Sequence, residues 1–234
     1  MIKTRFQFGE HELLAVQVLK STYQTFNYLL CRAGKAVLID AGEAKPVLAA
    51  LDAEGLQLLN ILITHNHGDH VGGCRALQDQ LGVQSTSPGV ESRAFEFLGT
   101  ECCSLATPGH MAVCKSYHFP ELGVVFTGDA IIGGGCGRIL GGTPEAFFEG
   151  LAVLKALPDD TLVFGGHDYL EDNMVFALSV EPDNADMRAR LERHAVDPAA
   201  AENVPLAEQN KTKPYLRAQS VAEFTELRLA KDRF

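Results

Sequence analysis

The chain has 234 residues, 46% hydrophobic and 21% charged. That composition suits one large domain, or one domain with a small appendage, and excludes a disordered chain. Twenty basic residues against thirty acidic ones leave a net charge of −10, which argues against a general nucleic-acid binder but leaves room for an anionic small substrate held by local charge. No apolar run approaches the roughly 18 residues of a membrane span. Met1 to Glu10 lacks the apolar core of a signal peptide, so a cytoplasmic address and no membrane partner are expected. The cysteines, Cys31, Cys74, Cys102, Cys103, Cys114 and Cys136, show no CxxC pairing and are too sparse for a disulfide scaffold. They read as reduced thiols packed as small hydrophobes, including the pair Cys102-Cys103.

In chain order, residues 2–8, 13–18, 25–31 and 35–39 alternate or run apolar, with Gly9, Ser21 and Ala33-Gly34 as breaks. This predicts an antiparallel meander ending in Asp40, which enters a glycine turn and is assigned a turn role or one behind the ligands. Pro46 to Glu54 reads as a helix, residues 58–63 as a buried strand and Val71 to Leu81 as the next helix. Strand-like pieces follow at 83–86, 93–98, 103–106, 112–119 and 122–127. Pro144 to Leu157 reads as a helix capped by Thr143, Thr161 to Phe164 as a strand and Tyr169 to Val180 as a helix. After Glu181-Pro182-Asp183 the pattern turns helical, over 184–195 and 220–230, with a proline-containing connection between. Ser220 and Glu223 form a capping-box pattern, and Val221, Phe224 and Leu227 share one face.

The chemistry concentrates after the strand ending at Ile63. In Thr64-His65-Asn66-His67-Gly68-Asp69-His70, His65 and His67 lie two apart, so in an extended segment they point the same way and can grip one ion. Gly68 permits the turn that separates Asp69 and His70. Four ligands this close exceed what one tetrahedral ion takes from one loop and suggest two metals. His110, Asp129 and His167 each follow a β-like piece and sit beside glycine. Together the set comprises five histidines and two aspartates, enough for two ions with three ligands each and one shared carboxylate. His/Asp ligation without thiolate favours Zn²⁺, with Fe or Mn as alternatives. His11, His118 and His194 have no ligand-like company and are assigned to the surface. Gly133-Gly134-Gly135-Cys136-Gly137 resembles a phosphate cradle but lacks the strand–turn–helix setting, and reads as a structural loop.

These residues resemble the metallo-β-lactamase superfamily, whose THxHxDH motif matches Thr64 to His70 throughout. The resemblance implies an α+β fold, an αββα sandwich, with a first metal on His65, His67 and His110. It implies a second on Asp69, His70 and His167, with Asp129 bridging and Asp69 and Asp129 acting at the reaction centre. Three segments are similar to the glyoxalase II (hydroxyacylglutathione hydrolase) family: Phe126 to Asp129 with Gly135 to Arg138 and Gly142-Thr143; Gly166 to Tyr169 with Asn173, Phe176-Ala177 and Glu181 to Asn184; and Val204 to Asn210 with Pro214 to Arg217. That similarity divides the chain into residues 1–181, the metal-binding domain, and 182–234, a small helical substrate-binding domain. It implies Arg138, Tyr169 and Arg217 as substrate contacts, with Asn210, Lys211 and Lys213 nearby. Leu140, Ser220 and Met111 stand where the family usually has Tyr, Lys and Thr. The expected reaction is hydrolysis of an S-(2-hydroxyacyl)glutathione thioester, such as S-lactoylglutathione, by two divalent ions that activate water. Alternatives are a thioesterase or lactonase for another substrate, a mononuclear-iron persulfide dioxygenase, or a non-enzymatic metal-binding interaction module. A nuclease is disfavoured by the charge.

Overall fold

The computed structural model describes residues 2–18, 25–86, 92–198 and 203–234, so Ser21 and residues 199–202 of the proline-containing connection lie outside the described residues. Apolar runs closed by short turns pair into a first sheet in plain sequence order: β1 (Ile2–Phe8), β2 (His11–Val18), β3 (Thr25–Arg32), β4 (Lys35–Ile39), β5 (Gln57–Leu62) and β6 (Gln84–Thr86). The first four are antiparallel, as the meander requires. The pairs β4–β5 and β5–β6 are parallel, with helices crossing between them. The second sheet has the order β11 (Leu162–Gly165), β10 (Val124–Gly128), β9 (Lys115–Phe119), β8 (Thr100–Ala106) and β7 (Arg93–Phe97), with only β10 and β11 parallel.

Both faces of β2 are covered, which explains its run of apolar residues. Leu13 and Ala15 pack between the sheets with Tyr28, Val37, Tyr117, Phe126 and Phe164, while Leu14 and Val16 pack with Val47, Leu51 and Leu77 on the other side. Those outer residues come from α1 (Ala44–Ala53) and α3 (Cys74–Leu81). The far face of the second sheet carries Val125 and Val163 against Phe147 and Leu151 of α4 (Pro144–Lys155). The layers are therefore α, β, β, α, the sandwich expected. Phe126, 1% exposed, stacks on Phe164 with ring centroids 5.4 Å apart in the central layer; truncating it to Ala would cost about 3–5 kcal/mol.

The late helices are α5 (Leu170–Val180), α6 (Ala185–Val196), α7 (Leu206–Thr212), α8 (Pro214–Arg217) and α9 (Val221–Arg233). Phe224 of α9 packs on Phe147 of α4, with ring centroids 5.4 Å apart, so the C-terminal helices close over the second sheet's outer layer. The caps act as read: Thr143 Oγ1 accepts from Ala146 N at 3.2 Å, and Ser220 Oγ accepts from Glu223 N at 3.2 Å. Glu223 reaches one residue further back than a capping box does, accepting from Gln219 N at 2.7 Å.

Several elements depart from expectation. The helix over 71–81 is two, α2 (Gly68–Val71) and α3, interrupted at Gly72-Gly73. The strand expected from 112 starts at Lys115, because Gly109 N donates to Met111 O and Thr107 N to Cys114 O, a turn that carries His110 off the sheet edge. The proline-containing connection holds α7 and α8, too short to show a helical period. His11 and His118 are buried, not at the surface, and His194 is half-buried with its ring 3.4 Å from Asp168. Cys102 is buried, but Cys103, on the opposite face of β8, is only half-buried.

Candidate metal centre

The parallel pairs β4–β5 and β10–β11 point their carboxyl ends the same way, toward the edge where open sheets place ligands. Asp40 leaves β4, Thr64 and His65 follow β5, Asp129 follows β10 and His167 follows β11. The close approach of the sheets there requires Gly128 (φ 50°): a Cβ at that residue would lie 2.5 Å from Thr64 Oγ1.

All seven predicted ligands come together. His110 Nε2 lies 2.8 Å from His67 Nδ1, and His65 Nε2 lies 3.2 Å from the same atom. Beside this trio, His70 Nε2 lies 3.4 Å from His167 Nε2, and Asp69 Oδ2 is 3.3 Å from His167 Nε2. Asp129 stands between the two groups. Its Oδ1 is 3.4 Å from both His70 Nε2 and His167 Nε2, and its Oδ2 is 3.5 Å from His110 Nε2. Asp129 Oδ1 is buried without a hydrogen-bond partner. Ring nitrogens converging with two carboxylates, one oxygen of which has no donor, form a donor set that fits divalent cations.

The far sides of the rings are tied down, which aims the near nitrogens inward. His70 Nδ1 is 2.8 Å from Asp40 Oδ2, and His110 Nδ1 is 2.6 Å from the carbonyl of Arg138. His65 Nδ1 sits 3.1 Å from Thr64 Oγ1, which donates to Asp40 Oδ2 at 2.8 Å, while Thr64 N donates to Asp40 Oδ1 at 2.8 Å. Asp40 is 2% exposed and held at φ 58°, a left-handed backbone that a non-glycine residue adopts at a cost. It thus touches His70 and Thr64 from behind the cluster.

Electrostatics divide the histidines. Burial, reinforced by the neighbouring rings, drives the pKa of His65 down to about 2, and burial also lowers His110, so both are neutral donors at neutral pH. Burial opposes charge on His167 and His70 too, but carboxylates outweigh it: Asp129 and Asp69 raise His167 to about 9, and Asp40 and Asp129 raise His70 well above its usual value. Burial likewise opposes ionisation of Asp69 and Asp129, yet the same rings hold Asp69 down at about 2 and Asp129 well below the carboxylate range.

The cluster forms one end of a cavity of about 980 Å³, lined also by Arg138, Leu140, Tyr169, Arg228 and Lys231. Tyr169 stacks parallel on His167, with ring centroids 4.8 Å apart. Arg217 is not among the residues lining this cavity. Its guanidinium is engaged by Glu181, with Nη2 2.6 Å from Oε2, and by the carbonyl of Asn210. Arg217, expected to touch substrate, is thus committed to structural partners in this arrangement. Lys213 is 1% exposed and also absent from the lining. Beside the expected Arg138, the cations that line the wall are Arg228 and Lys231 on α9, which the sequence reading missed. Their spacing of three puts them on one helical face, a signal that was available, but nothing local says which wall that face meets.

Two stacked mixed sheets flanked by helices, with a His/Asp cluster at the strand ends, define a metallo-β-lactamase-fold metal site. Residues 22–102 match the metallo-beta-lactamase superfamily, and residues 168–234 match the hydroxyacylglutathione hydrolase C-terminus. A hydroxyacylglutathione hydrolase from Dechloromonas aromatica (strain RCB) is 38% identical over 90% of this chain and 84% of its own length. The crystal structure of ETHE1 from Myxococcus xanthus superposes with a TM-score of 0.69 at 25% identity, covering 92% of this chain and 89% of that one. TTHA1623 in a di-iron-bound form gives 0.56 at 30% identity, covering 65% and 91%. This chain belongs to the hydroxyacylglutathione hydrolase family.

Proposed function

We propose that this protein hydrolyses S-(2-hydroxyacyl)glutathione thioesters, releasing glutathione and a 2-hydroxy acid such as lactate. The observation that carries the reading is the cavity, which has the His/Asp cluster at one end and Arg138, Arg228 and Lys231 in its walls. Glutathione thioesters bear carboxylates at both ends of a peptide, and those cations suit them despite the chain's net charge of −10. Membership of a family whose relatives carry that name supports the same substrate class.

In this reading His65, His67 and His110 hold one metal ion, and Asp69, His70 and His167 hold a second, with Asp129 shared. Divalent ions bound there supply Lewis acidity that brings water toward ionisation near neutral pH and polarises a carbonyl. The chain's own groups do the rest. Asp129, with one oxygen toward each trio, orients the attacking water, and Asp69 anchors the second trio. Tyr169, fixed by its stack on His167, presents its ring to the thiol-side peptide. Arg138 at the exposed mouth and Lys231 on α9 pair with the carboxylates. Thiolate is a good leaving group, so no serine or cysteine nucleophile is needed. Zinc is the proposed occupant, with iron supported as an alternative by the di-iron form of TTHA1623.

The deciding assay follows free thiol released from S-lactoylglutathione by the metal-loaded chain. Turnover abolished by chelation and restored by metal is expected. No release above the uncatalysed rate would reject the substrate assignment.

A further inference from the structure

We infer that Lys213 is a positioning residue for the metal centre, acting through the Ile132–Cys136 loop; the inference rests on the two-metal reading of the site, not on the thioester. In sequence that glycine-rich loop resembles an anion cradle. The structure reverses its polarity, because side-chain donors engage its carbonyl oxygens, and its one amide bonded outside the loop, Gly133 N, donates to the carbonyl of His167 at 3.4 Å and faces no anion. Lys213, 1% exposed at the start of α8, donates from Nζ to the carbonyls of Ile132 and Gly135, the latter at 3.1 Å. Arg228 Nη1 donates to the carbonyl of Cys136 at 2.9 Å, and Asn173 Nδ2 to that of Gly133 at 2.6 Å. The loop folds on itself, with Gly135 N to Ile132 O at 3.0 Å and Ile132 N to Gly135 O at 3.1 Å, so one ammonium grips both sides of the turn.

The segment that continues from the loop, residues 137–140, is the floor of the site. Gly137 N donates to the carbonyl of Asp129 at 2.8 Å, Leu140 N to the carbonyl of His110 at 2.7 Å, and the carbonyl of Arg138 meets His110 Nδ1. There is no slack: a Cβ on Gly137 would lie 2.5 Å from Asp129 O and 2.8 Å from His110 Nδ1. Residues 137–140 therefore set the ring of one trio and the backbone of the shared carboxylate, and the loop anchors that segment where it begins. A buried ammonium gripping two carbonyls is a stiff anchor, since charge-assisted bonds exceed neutral ones. Lys213 comes from the helical segment after Pro182, so that segment helps to build the metal centre as well as wall the cavity.

The test loads the full chain with Co²⁺, whose visible absorption reports ligand geometry. Lys213→Met removes the donor at similar length and Lys213→Gln keeps one. With the far-ultraviolet circular dichroism of the parent preserved, Lys213→Met is expected to shift the cobalt bands and to lose cobalt to a chelator roughly 10–100-fold faster, the range for residues that orient ligands. Lys213→Gln falls between. Bands and loss rate within twofold of the parent would overturn the inference. So would failure of both variants to fold, which would make Lys213 a general core residue. A parent chain that takes up no cobalt would instead sink the site reading beneath it.

Discussion

Asp40 is the residue whose loss tests the centre's construction most directly, because it touches the ligands without being one. Its carboxylate receives Thr64 N, Thr64 Oγ1 and His70 Nδ1, each at 2.8 Å, and is 2% exposed. In Asp40→Ala the Thr64 hydroxyl can turn toward His65 Nδ1, 3.1 Å away. Thr64 N and His70 Nδ1 cannot, and two buried donors without acceptors cost about 2–6 kcal/mol. Ala at φ 58° adds roughly 1–2 kcal/mol of backbone cost. Asp40→Asn avoids that addition, since Asn tolerates the left-handed region, and leaves at least one donor unmet, about 1–3 kcal/mol. His70 also loses the group that holds its ring, so metal affinity should fall about 10–100-fold in both variants. Denaturant unfolding of metal-stripped protein measures the first effect, and chelator competition on loaded protein the second. Asp40→Ala within 1 kcal/mol of the parent, with unchanged chelator competition, would refute the assignment of Asp40 as the support for His70; the ~1 kcal/mol margin is the smallest cost of one unmet donor.

Other expectations follow from the same geometry. Asp129→Ala should retain about one metal where the parent retains two, by elemental analysis, because each of its oxygens faces a different trio; retention of both at parental occupancy counts against the shared role. Lys231→Ala should raise KM for S-lactoylglutathione about 10–100-fold with kcat held, as expected for a lost charge-assisted contact. Arg217→Ala should leave KM unchanged and lower stability slightly, since its partner Glu181 is part-exposed; the reverse pattern would restore Arg217 to the cavity. In the metal-stripped chain, His167 has a folded pKa of about 9 against an ordinary 6.5. That stabilisation is whole below pH 6.5 and is lost as pH rises through 9. Thermal scans of stripped protein should show a Tm falling between those values, whereas metal-loaded protein, whose ring nitrogens are occupied, should not follow. A flat profile for the stripped chain would contradict the charge assigned to His167.

The sequence by itself determined the main elements and the candidate ligands, because both depend on short-range covalent order. Four candidate ligands between His65 and His70 are confined by the chain to one loop. The apolar runs of β2 and β10 require burial on both faces, while the two-sheet sandwich was implied by the resemblance of Thr64 to His70 to the metallo-β-lactamase motif. The capping pair Ser220 and Glu223 is equally local. Tertiary structure alone decided which of the late cations join Arg138 in the cavity wall. Arg217, Arg228 and Lys231 lie within fifteen positions on helical segments, and propensity treats them alike. Glu181 takes Arg217 out of the cavity, and the packing of Phe224 on Phe147 turns α9 so that Arg228 and Lys231 face in. In sequence Lys213 was legible only as a charge near the implied substrate contacts. Its burial against the carbonyls of Ile132 and Gly135 arises from a contact spanning some eighty residues. Contacts at that separation are chosen by the packing of whole elements, which no local pattern encodes.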